Sequence, residues 1–94
     1  MIRHIVFFTV KKSEDVDTVY TALKTLETIE GNWTLTVRKN EKIDQVGNDI
    51  DIVVYGEFPD EEALARYKSD PVYHLSTKTV RPMRDKRYAA DVEG

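Results

Sequence analysis

The hydrophobic period of this chain alternates between two residues and about 3.6 residues, in an order that few folds can use. Residues 2–10, IRHIVFFTV, are β-branched and aromatic and are closed by two lysines, which marks a strand. In SEDVDTVYTALKTLETIEG the period becomes helical, with Val16, Val19, Tyr20, Leu23, Leu26 and Ile29 on one stripe. Ser13 or Asp15 can cap the start of this helix, and Gly31 can stop it. WTLTVRK (33–39) alternates again, with Trp33, Leu35 and Val37 on one face. The polar stretch NEKIDQVGND leads into a third strand, IDIVVYGEF (50–58).

Asp60 then caps a second helix, with Glu61 and Glu62 in the first turn where the helix dipole favours acids. Ala63, Leu64 and Tyr67 form its buried edge. Asp70 and Pro71 restart the helix as an N-cap and first-turn pair, and it should end by Pro82. KRYAADV (86–92) supplies the last strand. Strand, helix, strand, strand, helix, strand is the split βαβ order. It predicts an α+β, ferredoxin-like antiparallel sheet with helices on one face, in a single domain over residues 1–94.

In that order strands one and three are neighbours at the sheet centre. That order is read as setting them parallel, and the internal echo of HIVF (4–7) in DIVV (51–54), taken as their register, puts His4 and Asp51 at the start of adjacent strands on one face. His4, Val6, Phe8 and Val10 then face the helices. Ile5 and Phe7, joined by Ile52 and Val54, face away and form a second apolar surface that a soluble monomer rarely leaves bare. The economical cover is a second copy of the chain, which predicts a homodimer through sheet faces with Phe7 and Ile52 at its centre.

Charge and composition narrow the function classes. A net charge of −3 argues against a general nucleic-acid binder. The locally basic run KTVRPMRDKR (78–87) is read as a solvated face or subunit contact. The chain has no cysteine, so thiolate chemistry and sulfur-ligated metals drop out. The apolar run near the N-terminus is too short to span a membrane, and a cytoplasmic location with no membrane partner is the expectation. Two histidines on separate elements make no zinc signature, and no loop has the glycine spacing that cradles phosphate. No metal and no cofactor are expected.

The candidate site lies between sheet and helices. A carboxylate at an imidazole fixes its tautomer, and a phenol can polarise a carbonyl. His4, Asp51 and Tyr67 are therefore the candidate catalytic group, and Val6, Phe8, Val53 and Tyr73 the candidate ligand-binding residues of a pocket inside one protomer. A helical wheel from Pro71 puts Val72, Leu75, Thr79 and Met83 on one stripe, with Tyr73 on its flank and His74 opposite, in solvent.

With these residues in hand, the chain resembles the stress-responsive α/β-barrel (Dabb) family of the dimeric α+β barrel superfamily. The resemblance rests on MIRHIVFF, on EFPDEEALARYKSDP (57–71), on VRP (80–82) and on RYAADV, and spans nearly the whole chain. It implies a ferredoxin-like protomer, dimerisation through the sheets, a link to stress response and a small apolar cavity that takes a small apolar ligand. It also implies a lyase reading. Plant polyketide cyclases of this type use a histidine in the first strand, a tyrosine in the helix and a histidine two residues after the helix proline. His4 and Tyr67 match the first two, while Tyr73 stands in the third position and Asp70 replaces the histidine before that proline. Cofactor-free monooxygenases and haem-binding relatives share the superfold and give a third reading.

Overall fold

A computed structural model describes residues 1–94. Four strands, β1 (Ile2–Val10), β2 (Thr34–Lys39), β3 (Ile52–Phe58) and β4 (Arg84–Glu93), and three helices, α1 (Val16–Lys24), α2 (Glu61–Ser69) and α3 (Pro71–Val80), follow the expected order. The starts of α2 and α3 are built from side chains, whereas α1 grows out of a 3₁₀ turn at Ser13–Asp15 and neither Ser13 nor Asp15 caps it as expected. The Asp60 carboxylate accepts from the Ala63 N–H at 2.8 Å, and Asp70 accepts from the Val72 N–H at 2.8 Å with Pro71 in the first turn. The first helix is shorter than its apolar stripe. It tightens into a 3₁₀ turn at Thr25–Thr28, where the Thr25 and Thr28 hydroxyls donate to the carbonyls of Ala22 and Thr25.

The strands are ordered β2-β3-β1-β4 and every neighbouring pair is antiparallel, giving a ferredoxin-like α+β fold. The expected parallel pairing of β1 and β3 is therefore corrected. The crossover through α1 returns β2 in the direction of β1. The reversal between β2 and β3 then leaves β3, lodged between them, running the other way.

That reversal changes the parity of β3. Val6 pairs with Val54 and Phe8 with Ile52, so Ile52 and Val54 belong to the helix-covered core, where they are buried together with Val19, Leu23, Val37, Phe58 and Val80. Phe7 pairs with Val53, which moves Val53 out of the expected pocket and onto the opposite face. The open face carries Ile5, Phe7, Val53 and Tyr55 on the central strands, with Tyr88, Ala90 and Val92 on β4. Phe7 is 38% exposed and Tyr88 54%. The second apolar surface exists, but Val53 replaces Ile52 at its centre.

The third helix is also rotated from its predicted phase. Ser76 and Val80 are buried, Tyr73 and Thr77 are half-buried, and Leu75 is 65% exposed. Ser76 tolerates this because its hydroxyl donates to the Ala22 carbonyl at 3.1 Å, a bond that an apolar-stripe argument does not see. The helices do not reach over β4. Its residues on the helix side, Arg87, Ala89 and Asp91, stay exposed at the sheet edge, and this gap opens the interior to solvent. No helix is long and apolar enough to cross a membrane.

Candidate functional site

Successive helix-facing residues of β1, His4, Val6 and Phe8, make the floor of a cavity of about 650 Å³. Val54 of β3 extends the floor, and Leu23, Leu26 and Val80 form an apolar wall. Tyr67, from the last turn of α2, and Tyr73, from the first turn of α3, close one side with their rings 5.2 Å apart edge to face. His74 is exposed, as the helical wheel predicts, yet it borders the mouth next to Tyr73.

His4 is only 1% exposed. The edge-on rings of Phe58 and Tyr67 flank it at 6.2 and 6.3 Å between centroids. Its Nδ1 lies 2.5 Å from Oδ1 of Asp91, directly opposite on β4. A carboxylate can only accept, so Nδ1 carries the hydrogen and Nε2 is left with its lone pair. That Nε2 has no partner within the chain and is not sealed from the cavity. Burial lowers the His4 pKa below its ordinary value, against the raising effect of the bond to Asp91 and its charge. Lys68 and Arg87 lower it further. A lowered pKa favours the neutral ring, whose free Nε2 can present a base to the cavity.

Tyr67 behaves in the complementary way. It is 1% exposed, and burial, followed by the neighbouring Tyr73, pushes its phenol far up, with Arg87 opposing weakly. Its hydroxyl stays protonated and has no partner within the chain, so it can donate to a guest. A base and a hydrogen-bond donor side by side on one cavity wall can take a proton from carbon next to a carbonyl while holding the carbonyl oxygen.

The expected residues divide cleanly. His4, Val6, Phe8, Tyr67 and Tyr73 come together, whereas Asp51 and Val53 do not. Asp51 lies at the other end of the sheet, where its N–H donates to the Phe8 carbonyl and its carboxylate accepts from the Val10 N–H at 2.8 Å and pairs with Lys42 at 2.7 Å. It joins strands and does not orient His4. Asp91 takes that place. The antiparallel register of β4 on β1 was the signal that could have found it, since His4 and Asp91 lie near opposite chain ends. The basic run 78–87 is not merely a solvated face either: Arg81 and Arg84, with Arg87 and with Lys68 of α2, line the mouth.

Comparison with known proteins agrees with this fold. The stress responsive A/B barrel domain family matches residues 2–94, and the chain belongs to it. No curated protein matches the chain in sequence. Among solved structures, a dimeric ferredoxin-like protein of unknown function from Thermobifida fusca is similar, with a TM-score of 0.80 and 21% identity over 97% of this chain and 88% of that one. A Dabb family protein with a ferredoxin-like fold from Mesorhizobium loti has a TM-score of 0.79 and 22% identity, covering 99% of this chain and 95% of its own. A protein from Nitrosomonas europaea described as a candidate antibiotic biosynthesis monooxygenase has a TM-score of 0.80 and 17% identity, covering 100% and 98%.

Proposed function

We propose that this member of the stress responsive A/B barrel family is a homodimer whose protomers each bind a small carbonyl-bearing molecule and move a proton on it. The observation that carries this reading is the pairing of the buried His4 with Asp91 beside Tyr67, whose ring meets the imidazole edge to face and whose hydroxyl has no partner in the chain. In the proposed roles His4 is the base through Nε2, Asp91 holds its tautomer, and Tyr67 donates to the carbonyl oxygen. Val6, Phe8 and Tyr73 seat the apolar body of the guest. No external cofactor is needed for such a step, because the proton and the developing oxyanion are both handled by side chains.

The dimer belongs to the same reading. Ile5, Phe7, Val53, Tyr55, Tyr88, Ala90 and Val92 make an apolar face without helices, and the similar protein from Thermobifida fusca is described as dimeric. A monooxygenase reading has only fold-level likeness behind it.

The test is proton exchange at carbon. A panel of β-keto acids and aryl ketones in heavy water, followed by proton NMR, should lose signal at the carbon next to the carbonyl faster with the protein than without it. His4→Gln should slow that loss by about 10²-fold or more, the usual contribution of a general base. Equal rates for the two proteins would reject His4 as the base.

A further inference from the structure

The chain carries a net charge of −3, yet four of its 14 lysines and arginines rim one cavity. Lys68, Arg81, Arg84 and Arg87 all line it, and no aspartate or glutamate does. None of the four takes part in an ion pair. Elsewhere Lys24 and Arg38 pair with Glu27, Lys39 with Asp17, Lys42 with Asp51 and Arg66 with Glu62, and the other unpaired cations, such as Lys11, Lys12, Lys78 and Lys86, stand exposed outside this cavity.

A helix C-terminus favours a cation, which accounts for Lys68 and Arg81 without any ligand. It does not account for Arg84 and Arg87, which stand on a strand. Arg84 is half-buried, and the Arg87 guanidinium lies 6.0 Å from the centre of the Phe8 ring, over the cavity floor. The charge of Arg87 is felt at both His4 and Tyr67. Like charges gathered at a concave mouth repel one another and direct a positive field inward. An unpaired cluster of this kind is stabilised when an anion enters.

We propose that the cavity selects an organic carboxylate, with an apolar or aromatic body on Val6 and Phe8 and its carboxylate turned outward to Arg84 and Arg87. A planar guanidinium pairs with a carboxylate through two parallel hydrogen bonds, which makes arginine the fitting residue at this position. The inference rests on the reading of this cavity as a ligand site and narrows the class of ligand. The carboxylate end stays at the mouth, while the reacting end lies next to His4 and Tyr67.

The experiment compares acids with their neutral amides. Octanoate against octanamide, and 3-phenylpropanoate against its amide, are titrated into the intact protein and followed by amide and methyl NMR shifts at Val6, Phe8 and Val54. Each acid should bind about tenfold or more tightly than its amide at low salt. The gap should shrink in 0.5 M sodium chloride, a probe concentration at which screening is strong (roughly a 4 Å Debye length). Arg84→Gln with Arg87→Gln should erase the gap and leave amide binding in place; the single variants serve if the double one does not fold. Amides that bind as tightly as the acids would overturn the carboxylate assignment and leave the cavity as a ligand site. Acids that shift only surface arginines, or no binding by any probe, would overturn both.

Discussion

His4 and Asp91 face each other across the β1–β4 pair, 2.5 Å apart between Nδ1 and Oδ1, although 87 positions separate them in the chain. The contact joins the two ends of the molecule at the floor of its cavity. It fixes which nitrogen of the imidazole points inward, and the proposed chemistry depends on that nitrogen.

Asp91→Asn removes a charge and weakens the bond that raises the His4 pKa, leaving burial and the cations Lys68 and Arg87 to lower it. The His4 titration midpoint, followed by imidazole NMR, should move further down in the variant. An unchanged midpoint would mean that the carboxylate does not govern His4.

The depressed His4 pKa also has a consequence for stability. The unfolded chain, with an ordinary histidine near 6.5, binds the proton before the native state does. Stability from this group is complete above about pH 6.5 and is lost as pH falls through the lower native midpoint, by at most about 1.4 kcal/mol per pH unit. Urea unfolding between pH 7 and pH 5 should show a shallower loss in His4→Gln than in the wild type. Parallel curves would contradict a buried neutral imidazole.

Tyr67 separates packing from chemistry. Its ring is packed against Phe58 and Tyr73, at 5.2 Å from each, whereas its hydroxyl has no partner within the chain. Tyr67→Phe should therefore change stability by less than about 1 kcal/mol, and Tyr67→Ala should cost about 3–5 kcal/mol. Chemical denaturation of the two variants makes the comparison. A large loss in Tyr67→Phe would reveal a hydrogen bond inside the fold.

The open sheet face predicts a thermal midpoint that rises with protein concentration. Phe7, paired with Val53, is at its centre, and burying one such side chain contributes about 1.5–3 kcal/mol. Phe7→Asp should give unfolded or aggregated protein. A well-folded wild-type monomer at micromolar concentration in the ultracentrifuge would contradict the dimer.

Local chemistry made much of this fold legible. Asp60 and Asp70 cap the helices their sequence announces, and the alternation of IRHIVFFTV sets the floor of the cavity. What is not local was harder to read. Strand direction decides whether Ile52 or Val53 faces the helices, and a one-residue change of parity moved both. Asp51 looked like the partner of His4 because a parallel pairing was assumed. Asp91 went unnoticed because its role comes from β4 lying against β1. The phase of α3 was misjudged because a buried serine, Ser76, is invisible to an apolar pattern. Tyr67 is buried on the edge that its helical spacing with Ala63 and Leu64 predicts, and Tyr73 is half-buried beside it, whereas Arg84 and Arg87 read as surface because only the pairing of β4 with β1 brings them to the mouth.

The most direct test of the site is nitrogen–proton correlation NMR of the His4 imidazole at pH 7, with the resonance assigned by its loss in His4→Gln. The expected result is a neutral ring with hydrogen on Nδ1 and a bare Nε2, and a titration midpoint below the ordinary histidine value. A ring protonated on both nitrogens at pH 7, or one carrying its hydrogen on Nε2, would leave no base facing the cavity and would contradict the account.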